Sequence, residues 1–367
     1  MNILYDHQIF SAQKIGGASR YFAELFLNFN KLDGVDFELA LNYSDNIYIE
    51  GFCTSNHKFI NKIPNKYVNY FGNVIYNELN EINSLKKIKN SEFDVFHPTY
   101  YDLYYQKFLK KPLVISVLDL IHELYFRDLP NDKTRYNKKL LCEQADKIIA
   151  ISNSTKNDLI SLLNIDSEKI IVTHLSGGFK KPLKILNKTE IGLPEKYILF
   201  VGSRQWYKNF IRFFDAVTPL LISDRTLNIV CTGLEFTKSE IQMFEISGVR
   251  NQMVRYFCNE DDFYYVYNFA ELFVFPSEYE GFGIPTLEAF SADCPVVLSN
   301  TSSMPEVGGD AVLYTDPYDV ADIRSKIEQL LFDKDLRLKL IEKGRKQLEK
   351  FSWEKTARET LKVYESL

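Results

Sequence analysis

The chain has 367 residues and a formal charge of −5, from 44 basic and 49 acidic side chains. With 46% apolar and 25% charged residues it has the make-up of a folded globular protein of about two domains, which excludes a disordered tail, a collagen-like fibre and a disulfide miniprotein. The acidic balance argues against a nucleic-acid partner, which a strongly basic patch would announce.

Met1–Asp6 reads as a strand, not as the basic start and apolar stretch of a signal peptide. No apolar run approaches the ~20 residues that span a bilayer, so a cytoplasmic protein is expected. Strands are predicted at Ile3–Tyr5, Phe37–Leu41, Phe93–Phe96, Leu113–Val117, Lys147–Ile151 and Lys169–Thr173, then at Tyr197–Val201, Leu227–Cys231, Val254–Phe257, Leu272–Phe275, Val296–Leu298 and Ala311–Tyr314. Several are continuous apolar runs, the mark of strands buried on both faces. Helical patterns lie between them; in Ala18–Asn30, Tyr21, Phe22, Leu25, Phe26 and Phe29 recur at spacings of three and four. Repeated β-α-β units imply an α/β protein with parallel, doubly wound sheets.

The polar run from Ser176 to Pro194, with Gly and Pro at both ends, breaks this rhythm and reads as a linker. Two similar α/β domains are therefore expected at 1–180 and 190–345, followed by a C-terminal helix within 346–367, for which the sequence leaves open whether it packs back on the first domain. Ligands of this fold class bind outside the carboxyl ends of the strands. The five cysteines, Cys53, Cys142, Cys231, Cys258 and Cys294, are scattered and read as reduced, partly buried thiols. The basic runs at Lys107–Lys111 and Lys133–Lys139 read as solvated faces, with contact to anionic lipid as the alternative.

Neither Gly16-Gly17-Ala18 nor Gly202-Ser203-Arg204 fits a dinucleotide fingerprint, and no phosphate-binding Walker sequence occurs. His7, His57, His97, His122 and His174 are far apart, with no pair at metal-ligand spacing, so no metal is expected. The segment Phe273–Ala289 is more informative: a buried strand runs into the turn Glu280-Gly281-Phe282-Gly283 and then a helix begun by Ile284 and Pro285. Glycines allow a ligand close to the backbone, and a helix start presents N–H groups to oxygen-rich ligands. Glu280 lies at the mouth of that turn. Glu288 lies one helical turn in, where a carboxylate can grip a vicinal diol. Tyr197–Asn209 repeats the pattern, with Gly202 at the turn and Arg204 and Lys208 four residues apart. On one helical face these two cations suit a diphosphate. Lys14–Tyr21, with Gly16 and Gly17 and with Ser19 as a helix cap, is either a tight turn or a ligand loop. Tyr100, Tyr101, Tyr104 and Tyr105 leave open both sugar stacking and simple composition, since the chain holds 23 Tyr and 28 Phe.

At these residues the chain resembles the retaining nucleotide-sugar glycosyltransferases of family 4, group 1 type. The resemblance rests on Glu280-x7-Glu288 and on Gly202 to Asn209, supported by Gly16–Tyr21, Phe96–Tyr100, Val117–Leu120, Ala150–Ser154 and Ser303–Ala311. It implies the GT-B fold, two Rossmann-like domains facing a cleft. It also implies a metal-independent, cofactor-free transfer of a sugar from a nucleoside-diphosphate donor. Lipid-linked or free glycans of bacterial O-antigen, lipopolysaccharide or capsule are the acceptors it implies, reached by peripheral contact with the inner face of the membrane. Arg204 and Lys208 would bind the diphosphate as it leaves, and Glu280 would contact the transferred sugar. Glu288 would bind the ribose, with Gly202, Gly281, Phe282, Gly283 and Ile284 lining the donor site. Gly16 and Gly17 would approach from the acceptor side, with His97, Asp119 and His122 as further cleft candidates. One departure stands out: many relatives have His-Asp after the fourth strand, and here the pair is Leu118-Asp119. Two rival functions share the architecture, a nucleotide-sugar 2-epimerase and a non-catalytic nucleotide-sugar-binding partner.

Overall fold

The computed structural model describes every residue except 50–70, 128–131, 180, 183, 185, 205, 258 and 259. Cys53, His57 and Cys258 lie outside the described residues, as does part of the linker. The chain forms two compact units: Met1–Leu175 together with Trp353–Leu367, and Ser176–Ser352.

In the first unit, β1 (Asn2–Tyr5) pairs in parallel with β2 (Asp36–Leu39) on one side and β3 (Val95–His97) on the other. β4 (Val114–Val117), β5 (Lys147–Ala150) and β6 (Ile170–Val172) form a second parallel set. A bridge from Phe96 to Leu113, with the Phe96 N–H bonded to the Pro112 carbonyl at 2.9 Å, joins the two sets at β3 and β4. The helices are α1 (Gln8–Ala12), α2 (Gly17–Phe29), α3 (Phe71–Asn90), α4 (Ile121–Tyr125), α5 (Thr134–Gln144) and α6 (Asn153–Leu163). The aromatic stripe expected on α2 is buried, and Phe26 stacks on Phe37 of β2 with centroids 4.7 Å apart.

The second unit is one six-stranded parallel sheet, in the order β12-β11-β10-β7-β8-β9. Its strands are β7 (Lys196–Phe200), β8 (Leu227–Thr232), β9 (Met253–Tyr256), β10 (Leu272–Phe275), β11 (Val296–Ser299) and β12 (Leu313–Thr315). Its helices are α7 (Phe210–Ser223), α8 (Lys238–Ile246), α9 (Glu260–Asn268), α10 (Ile284–Ser291), α11 (Met304–Gly308), α12 (Val320–Phe332) and α13 (Lys334–Leu348). The chain builds outward from β7 through β8 to β9, then returns to β10 on the other side. The order of strands therefore reverses between β7 and β10, the place where doubly wound sheets bind ligands. β10 and β11 are wholly apolar or nearly so and wholly buried, as continuous runs require.

All twelve predicted strands occur close to their expected bounds. The last helix, α14 (Trp353–Glu365), belongs to the first unit. Its Tyr364 hydroxyl lies 2.6 Å from the Tyr5 hydroxyl and 2.7 Å from His97 Nδ1, a buried chain linking α14 to β1 and β3. The division falls at Leu175 and again at Ser352, so α13, which begins at Lys334 and runs past 345, stays with the second unit. The start of the linker is not free: Phe179 donates its N–H to Ser291 Oγ at 2.9 Å, and its ring meets Phe263 and Tyr267.

Three expectations are corrected here. Ser19 does not cap α2; Gly16 holds the cap position, while Ser19 donates its hydroxyl to the Gly16 carbonyl and its N–H to Gln13 Oε1. Lys138 is no solvated cation, because it is fully buried and bonded to Glu123 Oε2 at 2.9 Å and to the Asp119 carbonyl at 2.9 Å. Within the tyrosine cluster, Tyr101 and Tyr105 are core residues rather than a sugar platform. Cys142, Cys231 and Cys294 are free and buried, and burial pushes the thiols of Cys142 and Cys231 up to about 12. Among the described residues no helix is long and apolar enough to cross a membrane.

Candidate functional site

The switch point of the second unit is bounded by the loop after β7 (201–209) and the loop after β10 (276–283). Gly202 turns the first loop at φ +108 and Gly283 ends the second at φ +102, both in the left-handed region that favours glycine. Asn209, also left-handed at φ 60, opens α7. Its Nδ2 donates to the Pro276 carbonyl at 2.9 Å and to the Pro317 carbonyl at 2.6 Å, fastening the first loop to the second. The Glu278 N–H adds a bond to the Tyr207 carbonyl at 2.7 Å.

These fastenings bring Lys208 and Glu280 together. Lys208 ends a short 3-10 turn, Trp206–Lys208, and its ammonium donates to Glu280 Oε1 at 2.6 Å. The same ammonium lies 5.5 Å from the centre of the Phe275 ring, at the end of β10. Glu280 is held from behind: its N–H goes to Ser302 Oγ at 3.0 Å, and Ser303 donates its hydroxyl to the Glu280 carbonyl at 2.9 Å and to the Phe282 carbonyl at 3.0 Å. Gly281, Phe282 and Gly283 form the turn, Ile284 opens α10 and Pro285 occupies its first turn, as the sequence pattern implied. Two hydroxyls beside the turn, Ser277 Oγ and Thr286 Oγ1, are buried and have no hydrogen-bond partner.

Glu288 lies one turn into α10 and is buried, and it accepts the Tyr267 hydroxyl of α9 at 3.1 Å. Sequence reasoning missed Tyr267, Ser302 and Ser303 as supports of the two glutamates. Only Ser303, inside a family-like segment, carried any signal.

Arg204 departs from expectation. It lies outside the short 3-10 turn Trp206–Lys208 that carries Lys208, and its side chain is held elsewhere. Its guanidinium bonds Glu240 Oε1 at 2.7 Å and the Leu234 and Glu235 carbonyls at 2.9 and 2.7 Å, and it packs 4.8 Å from the Phe236 ring centre. Glu240 also closes a capping box with Thr237 at the start of α8. Burial pulls the Glu240 carboxyl up, but Arg204 and the Thr237 bonds outweigh it and hold it below its ordinary value. The two cations of this loop thus each have a carboxylate partner.

The first-unit candidates fall into different places. Gly16 and Gly17 begin α2 on the carboxyl side of β1. His97 is corrected: it is a fully buried residue of β3, bonded to Tyr364, and burial lowers its pKa to about 3. Asp119 receives the Ile121 N–H at 3.0 Å and so fixes the start of α4. His122 Nδ1 pairs with Asp132 Oδ2 at 2.7 Å. Burial raises that aspartate, but the His122 and Thr134 hydrogen bonds prevail and bring it to about 2. Neither His97 nor His122 presents an unengaged Nδ1. Among the described residues no group of three or more His, Cys, Asp or Glu side chains is placed to hold a metal ion.

Comparison with known proteins agrees with this geometry. Residues 183–347 match the family model of glycosyl transferases group 1, and residues 15–175 match that of glycosyltransferase family 4. The chain is 34% identical over 253 residues to O-antigen chain mannosyltransferase B of Escherichia coli, covering 65% of this chain and 66% of that protein. It is 31% identical over 251 residues to the serotype-specific mannosyltransferase WbdA of the same species, covering 64% of this chain and 30% of that one. The matches thus span just under two thirds of the first relative's length and under a third of the second's. Among solved structures, a glycosyltransferase from Rickettsia africae superimposes with a TM-score of 0.71 at 17% identity, covering 100% of this chain and 98% of that one. Anabaena Alr3699/HepE in complex with UDP and glucose does so with 0.72 at 15% identity, covering 100% of both chains. With both halves matched and the fold shared along its whole length, the chain belongs to the family 4, group 1 glycosyltransferases and has the GT-B fold.

Proposed function

We propose that the protein transfers a hexose, mannose being the first choice, from a nucleoside-diphosphate sugar to a hydroxyl of a glycan or lipid-linked oligosaccharide in bacterial surface-polysaccharide synthesis. The observation that carries this reading is the meeting of Lys208 and Glu280 at the switch point of the second unit, with Glu288 one turn down the adjoining helix. The mannosyltransferases of O-antigen synthesis among its sequence relatives support the choice of sugar and product.

In this reading Glu288 holds the donor ribose, and the turn Gly281–Ile284 lies along the diphosphate and sugar. As the bond from the anomeric carbon to the phosphate oxygen breaks, positive charge grows on the sugar and negative charge on the leaving diphosphate. Lys208 meets the negative charge, and Glu280 faces the positive. Arg204 joins Lys208 by exchanging Glu240 for phosphate oxygens. The acceptor hydroxyl attacks the same face that the diphosphate leaves and passes its proton to a leaving phosphate oxygen, so the anomeric configuration is kept. Fixed cations do here what a divalent metal does elsewhere, and the reaction needs none. The setting is the cytoplasm, at the inner face of the membrane when the acceptor is lipid-linked.

The test is incubation with nucleoside-diphosphate hexoses and tagged mannoside acceptors in chelator, with the product read by mass spectrometry and by NMR of the new linkage. A retained-configuration glycoside is expected. An inverted centre rules out same-face attack, and donor consumption that yields free epimer without glycoside turns the reading toward a 2-epimerase.

A further inference from the structure

The first unit has its own switch point, where β1 is flanked by β2 and β3. A dense polar network lies just beyond the carboxyl ends of β1 and β3. Asp6 Oδ1 accepts the Thr99 N–H and the Thr99 hydroxyl, each at 2.8 Å. Asp6 Oδ2 accepts Gln8 Nε2 at 2.7 Å and the Tyr104 hydroxyl at 3.1 Å. Gln8 Oε1 in turn accepts the Asp102 N–H at 2.7 Å. Asp6, Gln8 and Thr99 are therefore occupied with one another, and the network is closed on that side.

His7 is different. Its Nδ1 lies 2.9 Å from Ser84 Oγ, and Ser84 spends its only proton on the Ala40 carbonyl at 3.0 Å. With that proton on Ala40, Ser84 accepts from His7, which assigns the ring proton to Nδ1 and leaves a lone pair on Nε2. The ring is packed against Tyr104, centroids 5.4 Å apart. Burial lowers the His7 pKa, against the opposing pull of Asp6 and Asp102, and keeps the ring neutral. Among the described residues Nε2 has no hydrogen-bond partner, and unlike His97 Nε2 it is not sealed from solvent. A locked tautomer presents one open acceptor at the place where this fold takes ligands.

We propose that His7 is an acceptor-substrate binding residue, its Nε2 taking a hydrogen bond from a hydroxyl of the glycan. This rests on the transferase reading. A transfer has two substrates; the donor groups all lie in the second unit, and the switch point of the first is the other crevice the topology provides. A hydroxyl-rich substrate supplies the donor that Nε2 lacks.

The experiment compares His7→Asn, His7→Gln and Ser84→Ala with the wild type, using nucleoside-diphosphate mannose and a fluorophore-tagged mannose disaccharide. Asn keeps an N–H near Nδ1 and removes the atom at Nε2; Gln carries an acceptor out to that place. His7→Asn is expected to raise the acceptor KM roughly tenfold, the size of one lost hydrogen bond, with nucleoside-diphosphate affinity unchanged. His7→Gln restores much of the loss, which a merely structural role would not. Ser84→Ala, which frees the tautomer but leaves the ring, raises the same KM in part. An active wild type whose acceptor KM does not move in His7→Asn, at an unchanged melting temperature, overturns the role of His7 alone. A wild type that makes no glycoside overturns the transferase reading and this inference with it.

Discussion

Lys208 Nζ stands 2.6 Å from Glu280 Oε1, between the loops that leave β7 and β10. Both side chains are largely shielded from water, which strengthens their mutual attraction, and the cation is held extended over the end of β10. In the proposed transfer the pair would be a preorganised dipole where the glycosyl–phosphate bond separates charge. Arg204, four residues before Lys208, forms a second pair with Glu240, so under the proposed function an incoming diphosphate would meet cations that are placed but already neutralised.

In the proposed transfer, loss of the Lys208 ammonium removes the charge donor assigned to the leaving group. Lys208→Ala is expected to lower kcat by roughly 10²–10³, by analogy with the loss of one oxyanion donor. The fold should survive, because Asn209 and the Glu278 N–H still fasten the two loops. Steady-state kinetics beside a thermal melt separates the two effects, and a loss below tenfold at wild-type stability contradicts the role.

The Arg204–Glu240 pair makes a less obvious prediction. If the guanidinium must leave Glu240 to reach phosphate, the carboxylate competes with the donor. Glu240→Gln weakens a charge-assisted bond by about 1 kcal/mol, so nucleoside-diphosphate binding should tighten about fivefold while the melting temperature falls. Calorimetry reads the affinity; unchanged binding means that Arg204 stays on Glu240 and that Lys208 acts without it.

Tyr267 gives its hydroxyl to Glu288 from within an aromatic cluster of Phe179, Phe263 and Phe273. Tyr267→Phe keeps the ring packing and deletes one bond to the buried carboxylate, worth about 1 kcal/mol. If Glu288 holds the ribose as proposed, the donor KM should rise about fivefold with kcat nearly constant, because such a contact is equally present in ground and transition states. A fall in kcat at constant KM would remove Glu288 from ribose binding.

Much of this was legible in the chain itself. Continuous apolar runs such as Leu272–Phe275 mark buried parallel strands, and Glu280-x7-Glu288 was readable as a turn followed by a helix start, which is what it spans. Long-range partners left no such trace. Nothing near Arg204 in sequence points to Glu240, 36 residues on, and the link of His97 to Tyr364 spans 267 residues. His97 looked like a cleft residue because it follows a strand, but in a β-strand successive side chains face opposite ways, and this one faces inward.

That buried histidine has a pH signature. Burial lowers the His97 pKa from 6.5 to about 3, so the folded state excludes a proton that the unfolded chain binds. Stability is full above about 6.5 and falls as pH drops toward 3, by about 2 kcal/mol between pH 7 and pH 5 for this group. His97→Asn should be less stable at pH 7 and should show a shallower decline between pH 7 and 5. Urea unfolding at the two pH values checks this, and equal slopes in both proteins would contradict it.

The most direct measurement is a thermal-shift screen of ADP, GDP, UDP and their hexose esters in excess chelator. Selective stabilisation by one nucleotide series is expected, strongly reduced in Lys208→Ala and in Glu288→Gln. A shift that appears only with added magnesium or manganese, or that both variants retain in full, would contradict donor binding by fixed side chains at the β7–β10 switch point.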